Sequence, residues 1–329
     1  MQVEPLESCK ESLVLEEHDF DSAMLVTYKE TLRTVWIHEE INKDLTVDNG
    51  TILDPEFPNA ARRYIRCIVT FFAVADGLIE DILQDLRSRI KNRAVNAWFN
   101  LQASFEDIHN LTYSALYRIY ADNPGSNERL NIKKVADLEI IKAQLAWVKK
   151  YVDYDGTNPP ALSIHIFIQA IIECLFFQSE FAGIFELAKQ FPGRLPALAK
   201  SNEFISRDEG GHYETLVKIY KKFIKNKLPA ELARGIMLDA VSAKCKYVEY
   251  ELRDPVNDKL NIPTMTKYVQ FIADKIMKDL DYPVIYKVVD NPIPVTMMQS
   301  IGTRSTDFFI TTPTEYAHAP RDTRPPLFE

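Results

Sequence analysis

The sequence predicts an all-α protein built as a helical bundle. Apolar residues recur at helical spacing along most of the chain, and alternating β-type runs with hairpin turns are scarce. Several predicted helices are at least twice as long as the average helix of about 11 residues, as expected for buried helices at the centre of a bundle. With 329 residues, 46% of them hydrophobic, the chain can bury a sizeable core.

The predicted helices follow one another in a simple order. Pro58-Asn59 is a start signal for the second helix, and the loops at 122–126 and 155–160 end the third and the fourth. The predicted ranges are 21–46, 57–90, 92–121, 129–153, 161–190, 196–227, 229–253 and 264–280. After Tyr282 the prolines cannot occupy helix interiors. The sequence therefore predicts an acidic segment over 1–20, a helical domain over 21–282 and an extended or mobile tail over 283–329.

Composition and charge exclude several classes of protein. The formal net charge is −8, which argues against a nucleic-acid-binding surface. The four cysteines, at positions 9, 67, 174 and 245, form no CxxC, so neither a disulfide framework nor a thiolate metal site is indicated. The most apolar stretch, 161–177, is interrupted by polar residues and is too short to span a membrane. Because the N-terminus is acidic rather than signal-like, we predict a cytoplasmic protein.

Two Glu-x-x-His pairs lie within apolar helical stretches. They are Glu106 with His109 and Glu209 with His212, and this spacing puts a carboxylate and an imidazole on one helix face. A third pair, Glu315 with His318, lies in the proline-rich tail, where the spacing has no helical meaning. One such pair is more often a solvated or core pair than a ligand set, so the assignment depends on other acidic residues nearby in the fold.

Two further acids, Asp76 and Glu173, stand in strongly apolar stretches. A buried carboxylate without a partner is costly, so these acids need a counter-charge. Together with Glu106 and Glu209 they make four carboxylates, whose charge two divalent cations would neutralise. A ligand set of carboxylates and imidazoles suits iron or manganese. Glutamates from separate helices combined with two Glu-x-x-His motifs are the pattern of ferritin-like dimetal proteins.

Five local sequences, taken in order, resemble the radical-generating small subunit of class I ribonucleotide reductase. They are Trp36-Ile37-His38-Glu39-Glu40-Ile41, Phe71-Phe72-Ala73-Val74-Ala75-Asp76-Gly77, Glu106-Asp107-Ile108-His109-Asn110-Leu111-Thr112-Tyr113-Ser114, Glu173-Cys174-Leu175-Phe176-Phe177 and Ser206-Arg207-Asp208-Glu209-Gly210-Gly211-His212. The last is the most specific of the five. The resemblance covers most of the chain and implies a ferritin-like helical bundle.

The resemblance also implies the roles of the site residues. Asp76, Glu106 and His109 would hold one metal ion, and Glu173, Glu209 and His212 the other, with two iron ions per chain or manganese in their place. Tyr113, one helical turn beyond His109, would carry a stable tyrosyl radical formed when the reduced metals activate oxygen. Phe177 and Phe181 would form a dry wall that protects it, although they are equally compatible with ordinary core packing.

Export of the radical is the other function that the resemblance implies. Asp208 and Trp36 would link His109 to the surface, and Tyr316 in the tail would relay the radical to the large subunit. The chain would be a homodimer that docks its large subunit through the C-terminal tail. Glu180 departs from the family pattern, which usually has a small residue there. It is either a fifth acid near the metals or an acid that points away from them.

The sequence thus favours an oxidoreductase, the small subunit of ribonucleoside-diphosphate reductase. Reduction of the nucleotide belongs to the partner, because this chain has no redox-active cysteine pair. The alternative is a ferritin-like oxidase or monooxygenase acting on a small apolar substrate, which would need no radical path. Iron storage or a plain structural bundle would leave the tail unexplained.

Overall fold

The computed structural model describes residues 4–8, 22–120, 139–152 and 161–294, without the side chains of 8, 22, 76–82, 139, 140 and 152. Within these ranges the chain forms helices and no strand, which confirms the predicted all-α class. The α-helices are α1 (Pro5–Ser8), α2 (Ser22–Leu32), α3 (Asn42–Leu53), α4 (Asn59–Arg89), α5 (Arg93–Tyr120), α6 (Glu139–Val152), α7 (Leu162–Ile171), α8 (Phe177–Gln190), α9 (Pro196–Phe223), α10 (Ala230–Glu251) and α11 (Ile262–Asp279).

The first predicted helix, 21–46, is wrong as a single element. The chain forms α2, then irregular backbone, a 3-10 turn (His38–Ile41) and α3, which continues to Leu53. Ile37 has an extended backbone, with φ −126° and ψ 145°. Thr34, Val35 and Ile37 are β-branched and lower the helix propensity of this segment. The break turns the indole of Trp36 toward α9, where it has a hydrogen-bond partner.

The long helices pack around one apolar core. α4 packs along α5, and α9 crosses α3, α7 and α8. The stretch Leu162–Gln190 is long and apolar enough to cross a membrane by composition, but 94% of its most apolar window is buried inside the fold. It is therefore the core helix of this bundle, interrupted at Ile172–Phe176 by a π-helical turn.

Buried carboxylates hold the ends of several segments in place. Asp48 accepts hydrogen bonds from the backbone N–H groups of Ala197 and Leu198 at the start of α9, and from the hydroxyl of Tyr120. Asp274 accepts from three backbone N–H groups of the segment that follows α11. Such bonds satisfy donors that a helix or loop would otherwise leave unpaired.

Residues 283–294, the described part of the predicted tail, are irregular, in agreement with their prolines. Residues 121–138, 153–160 and 295–329 lie outside the described ranges, so the predicted loops and most of the predicted tail are not described.

Candidate metal centre

Two helices bring the Glu-x-x-His pairs together in the core. Glu106 and His109 lie on α5, and Glu209 and His212 lie on α9. The apolar faces of these helices point inward. Because residues three positions apart lie on the same face, both members of each pair also point into the core. All four side chains are at most 2% exposed.

Glu173 comes from the π-helical turn between α7 and α8. Its Oε1 accepts a hydrogen bond of 2.7 Å from Nε2 of Gln102, and another from Nε2 of Gln169. Its Oε2 has no hydrogen-bond partner and lies 3.7 Å from Nδ1 of His212. Two amides thus hold one oxygen and leave the other facing the histidine.

The carboxylates of Glu106 and Glu209 each face both imidazoles. Oε2 of Glu106 lies 3.4 Å from Nδ1 of His109, and its Oε1 lies 3.4 Å from Nδ1 of His212. The corresponding distances from Glu209 are 2.9 Å and 3.0 Å. Ligand atoms of Glu106, Glu173, Glu209 and His212 all lie within 4.8 Å of one another. Carboxylates that span two imidazoles in this way suit a site with two cations.

The donor set fits a pair of metal ions. Both oxygens of Glu106, Oε2 of Glu173 and Nδ1 of His109 are buried without a hydrogen-bond partner. In the described part of the chain, the ion-pair partners of the three glutamates are histidines alone. Buried polar atoms in this number need a ligand, and carboxylate with imidazole is the set that iron and manganese take.

The pKa shifts of the cluster arise from burial and from the neighbouring charges. Burial raises the pKa of the Glu106 carboxyl, and the charge of Glu209 raises it further. Burial likewise raises the pKa of Glu209, with a second contribution from Glu173. Burial alone lowers the pKa of His109, but its contacts with Asp208, Glu106 and Glu209 outweigh this and hold it well above the usual value. The cluster therefore retains protons that cations would replace.

The sixth predicted ligand, Asp76, lies in α4, but its side chain is outside the described residues. Its role as a ligand stays a prediction. The predicted tail residue Tyr316 also lies outside the described ranges, and so does the part of the predicted docking tail beyond residue 294.

A chain of hydrogen-bonding groups leads from His109 to Trp36. Nε2 of His109 lies 3.3 Å from Oδ2 of Asp208, and the same oxygen accepts a 2.7 Å hydrogen bond from Nε1 of Trp36. Because Asp208 contacts Nε2, it leaves Nδ1 of His109 free to face the carboxylates. The structure thus brings Asp208 and Trp36, the two described residues that the resemblance implies for radical transfer, into contact with each other and with the predicted ligand His109.

Tyr113 is fully buried, one helical turn from His109. Its hydroxyl donates a 2.8 Å hydrogen bond to Oδ1 of Asn202. The amide of Asn202 is oriented by its own 2.7 Å bond to the carbonyl of Leu198. The tyrosine ring stacks on Phe72, with centroids 4.5 Å apart and planes at 12°.

Phe72 is the residue that sequence reasoning missed. Phe177 and Phe181, which the resemblance implies as a wall around Tyr113, both contact Phe72, at 5.4 Å and 5.1 Å between centroids. Phe72 stands four positions before Asp76 in the motif quoted above, and this helical spacing was the available signal. Asn202 and Gln102 were also missed. Their amides bind Tyr113 and Glu173 from other helices, and no sequence spacing predicts such a contact.

Glu180 does not belong to the group of four close ligands. It forms a buried ion pair with Lys244 of α10. The π-helical turn lies between Glu173 and Glu180, so the ordinary helical spacing of seven residues does not apply across it. Of the two alternatives for Glu180, the structure favours the one in which its carboxylate is held away from the metals.

Curated relatives agree with this geometry. The family model described as "Ribonucleotide reductase, small chain" matches residues 19–292. The ribonucleoside-diphosphate reductase small chain of Trypanosoma brucei brucei is 31% identical over 294 residues, which are 89% of this chain and 83% of that protein. The ribonucleoside-diphosphate reductase subunit M2 of Homo sapiens is 27% identical over 86% of this chain and 69% of that protein.

Solved structures share the fold at lower identity. The ribonucleotide reductase Rnr4 homodimer of Saccharomyces cerevisiae has a TM-score of 0.75 and 19% identity, and the match covers 92% of this chain and 91% of that one. The dimanganese(II) NrdF of Streptococcus sanguinis has a TM-score of 0.69 and 14% identity, with 89% and 100% covered. The matched residues include both Glu-x-x-His motifs and all the described site residues. The chain therefore belongs to the ribonucleotide reductase small-chain family.

Proposed function

We propose that the chain is the radical-generating small subunit of a ribonucleoside-diphosphate reductase. The observation that carries this proposal is the pair of carboxylates, Glu106 and Glu209, that each face the two imidazoles of His109 and His212 inside the core. The names of the curated relatives support the reductase and give no support to the alternative, an oxidase acting on a small apolar substrate.

The proposed ligands divide between two ions. Asp76, Glu106 and His109 would hold one, and Glu173, Glu209 and His212 the other. Two iron ions are our proposal, and the dimanganese relative keeps manganese open. When bound, the metal pair supplies oxidising equivalents from dioxygen.

Tyr113 is the proposed store for one oxidising equivalent. Its phenol is buried, its hydroxyl is held by Asn202, and Phe72 covers its ring. Exclusion of water protects a reactive group against side reactions. Trp36, Asp208 and His109 form the proposed path by which the equivalent leaves, since they run in contact from the candidate metal centre to the broken segment between α2 and α3.

The partners follow from the same proposal. The chain would form a homodimer, as the yeast Rnr4 structure does, and would dock a ribonucleotide reductase large subunit through residues 283–329, with Tyr316 as the relay. We also propose a cytoplasmic location, because the most apolar helix is buried inside the fold.

The direct test combines metal analysis, spectroscopy and turnover. Protein loaded with Fe²⁺ and exposed to oxygen is expected to hold about two ions per chain, to show a tyrosyl signal in low-temperature electron paramagnetic resonance, and to support reduction of a ribonucleoside diphosphate by a large subunit. Loading with Mn²⁺ in parallel decides between the metals. A chain that binds metal but supports no reduction with any matched large subunit, while oxidising small apolar molecules, would reverse the choice between the two functions.

A further inference from the structure

The π-helical turn Ile172–Phe176 is a weak element that carries an important side chain. Its backbone bonds have the i→i+5 pattern, which is rare and needs support from the surrounding fold. Glu173 lies in its first turn and faces the candidate metal centre. Any change in the winding of this turn would move the carboxylate of Glu173 relative to Glu209 and His212.

Lys244 reaches this turn from the neighbouring helix. It lies on α10, is 0% exposed, and its Nζ donates a 2.7 Å hydrogen bond to the carbonyl of Phe176, the last residue of the turn. The same ammonium lies 4.9 Å from the ring centroid of Phe71 and 5.0 Å from that of Tyr247. A lysine buried this deeply is unusual and needs a specific counter-charge.

Glu180 supplies the counter-charge. It lies on α8, one helical turn beyond Phe176, and is also 0% exposed. Its Oε1 pairs with Nζ of Lys244, and its Oε2 accepts a 2.7 Å hydrogen bond from Ser179. A buried ion pair adds little net stability compared with apolar residues of the same volume, but it fixes geometry when both partners are fully bonded.

We propose that the Lys244–Glu180 pair positions Glu173 by fixing the winding of the π-helical turn. Lys244 holds the end of the turn to α10, and Glu180 keeps the ammonium in place from the following helix. Both are positioning residues, since neither belongs to the close ligand group and Lys244 acts through the carbonyl of Phe176. The effect on metal binding rests on the proposed metal centre. The effect of the pair on the winding of the turn concerns the backbone alone and does not depend on that centre.

The test replaces the pair by apolar residues of similar volume, in the double variant Glu180→Leu/Lys244→Met. The control is Tyr247→Phe, which removes a part-buried 2.8 Å hydrogen bond from the same helix to the carbonyl of Cys67, outside the turn. Hydrogen exchange of the metal-free full chain is measured first. We expect amides 172–180 to exchange at least tenfold faster in the double variant, with no change there in the control.

Titration with Co²⁺ gives the second measurement, because its absorption reports the coordination of each ion. We expect one of the two binding steps to weaken at least tenfold in the double variant and the other to match the parent. Unchanged exchange at 172–180 would overturn the proposal. Faster exchange with Co²⁺ binding identical to the parent would also overturn it, since the turn would then loosen without moving Glu173.

If the double variant does not fold, the single variant Glu180→Gln is tested in its place. It keeps Lys244 and removes the negative charge of its partner. In this variant exchange at 172–180 is expected to rise at least threefold, and no rise would overturn the proposal. A parent chain that binds no Co²⁺ would contradict the proposed function instead, and the exchange measurement would still decide whether the pair fixes the turn.

Discussion

Nε1 of Trp36 donates a 2.7 Å hydrogen bond to Oδ2 of Asp208, across 172 positions of sequence. The indole is 4% exposed, and its ring stacks toward His109 with centroids 6.3 Å apart. Arg207 binds the other oxygen of Asp208 at 3.0 Å and 3.2 Å. Asp208 is thus held from both sides and orients the imidazole of His109.

Replacing Trp36 by Phe tests whether this hydrogen bond carries function. Phe keeps an aromatic ring, but one smaller than the indole. We expect metal content to match the parent, with a loss of roughly 1–3 kcal/mol in the free energy of unfolding from the missing bond and from the space that the smaller ring leaves. Turnover with the large subunit is expected to fall roughly 10- to 100-fold. The control is Trp147→Phe, the same substitution at a tryptophan outside the proposed path. It removes a 3.2 Å hydrogen bond to the carbonyl of Ile236. Parent-level turnover in Trp36→Phe would remove the indole from the path.

Replacing Tyr113 by Phe changes one hydroxyl and keeps the ring on Phe72. The free energy of unfolding is expected to change by about 1 kcal/mol, because the bond to Asn202 is lost. Metal content should not change, since the phenol is assigned no ligand role. The tyrosyl signal and nucleotide reduction should both disappear. If reduction continued at the parent rate, another oxidant would have to replace Tyr113.

Replacing His212 by Ala removes one imidazole from the centre and leaves the carboxylate of Glu209 without its 3.0 Å partner. We expect metal content after reconstitution to fall from about two ions per chain to about one. His165→Ala is the matched control: this histidine is also buried, but its Nδ1 lies 2.9 Å from Asp85 of α4. Equal metal loss in both variants would show general destabilisation rather than loss of a ligand.

Removing the metals is expected to lower the melting temperature by an amount that grows with pH. In the metal-free fold the pKa values of Glu106, Glu209, His109 and His212 are all raised. The folded chain then binds more protons than the unfolded chain, and its stability falls as pH rises. With metals bound the ligands are deprotonated, so the unfolded chain binds more protons and stability rises with pH.

The measurement is a thermal melt with and without a chelator from about pH 5 to pH 8. The gap between the two melting temperatures should widen steadily across this range. A gap that is constant or narrows with pH would show that protons and metals do not compete for these side chains.

Deleting residues 321–329 tests the docking role assigned to the tail. These residues lie outside the described ranges and follow the last predicted helix by some distance, so the metal content and tyrosyl signal should stay at the parent level. Binding to the large subunit should weaken at least tenfold, as measured by titration calorimetry. Normal binding by the shortened chain would place the anchor elsewhere.

The sequence was sufficient for the fold class and for the four Glu-x-x-His residues because both depend on helical spacing. Glu106 with His109 and Glu209 with His212 each share a helix face, and an apolar face must point into the core. Tyr113 followed from the same spacing, one turn beyond His109. Local geometry was enough to place these side chains in the core, while their roles as ligands and radical store are what the family resemblance implies.

The remaining features depend on contacts between residues far apart in sequence. At the break over 33–37, Trp36 forms a hydrogen bond with Asp208 of α9. The spacing of residues within one helix gives no information about a partner on another helix. The π-helical turn depends on Lys244, which is 68 positions beyond Phe176. Asn202 contacts Tyr113 from 89 positions away. Tertiary packing therefore overrode local propensity at these places.

The stacking of Phe72 on Tyr113 has a kinetic consequence. A reductant in solution cannot touch a phenol that is fully buried between α4, α5 and α9. Once the proposed path through Trp36 is interrupted, as in Trp36→Phe, the reductant must wait for a transient separation of these helices. The decay of a stored radical would then report how often the bundle opens, in the way a slowly exchanging amide does. Agents of very different reducing strength, if all are too large to enter, would quench it at one shared rate set by the protein.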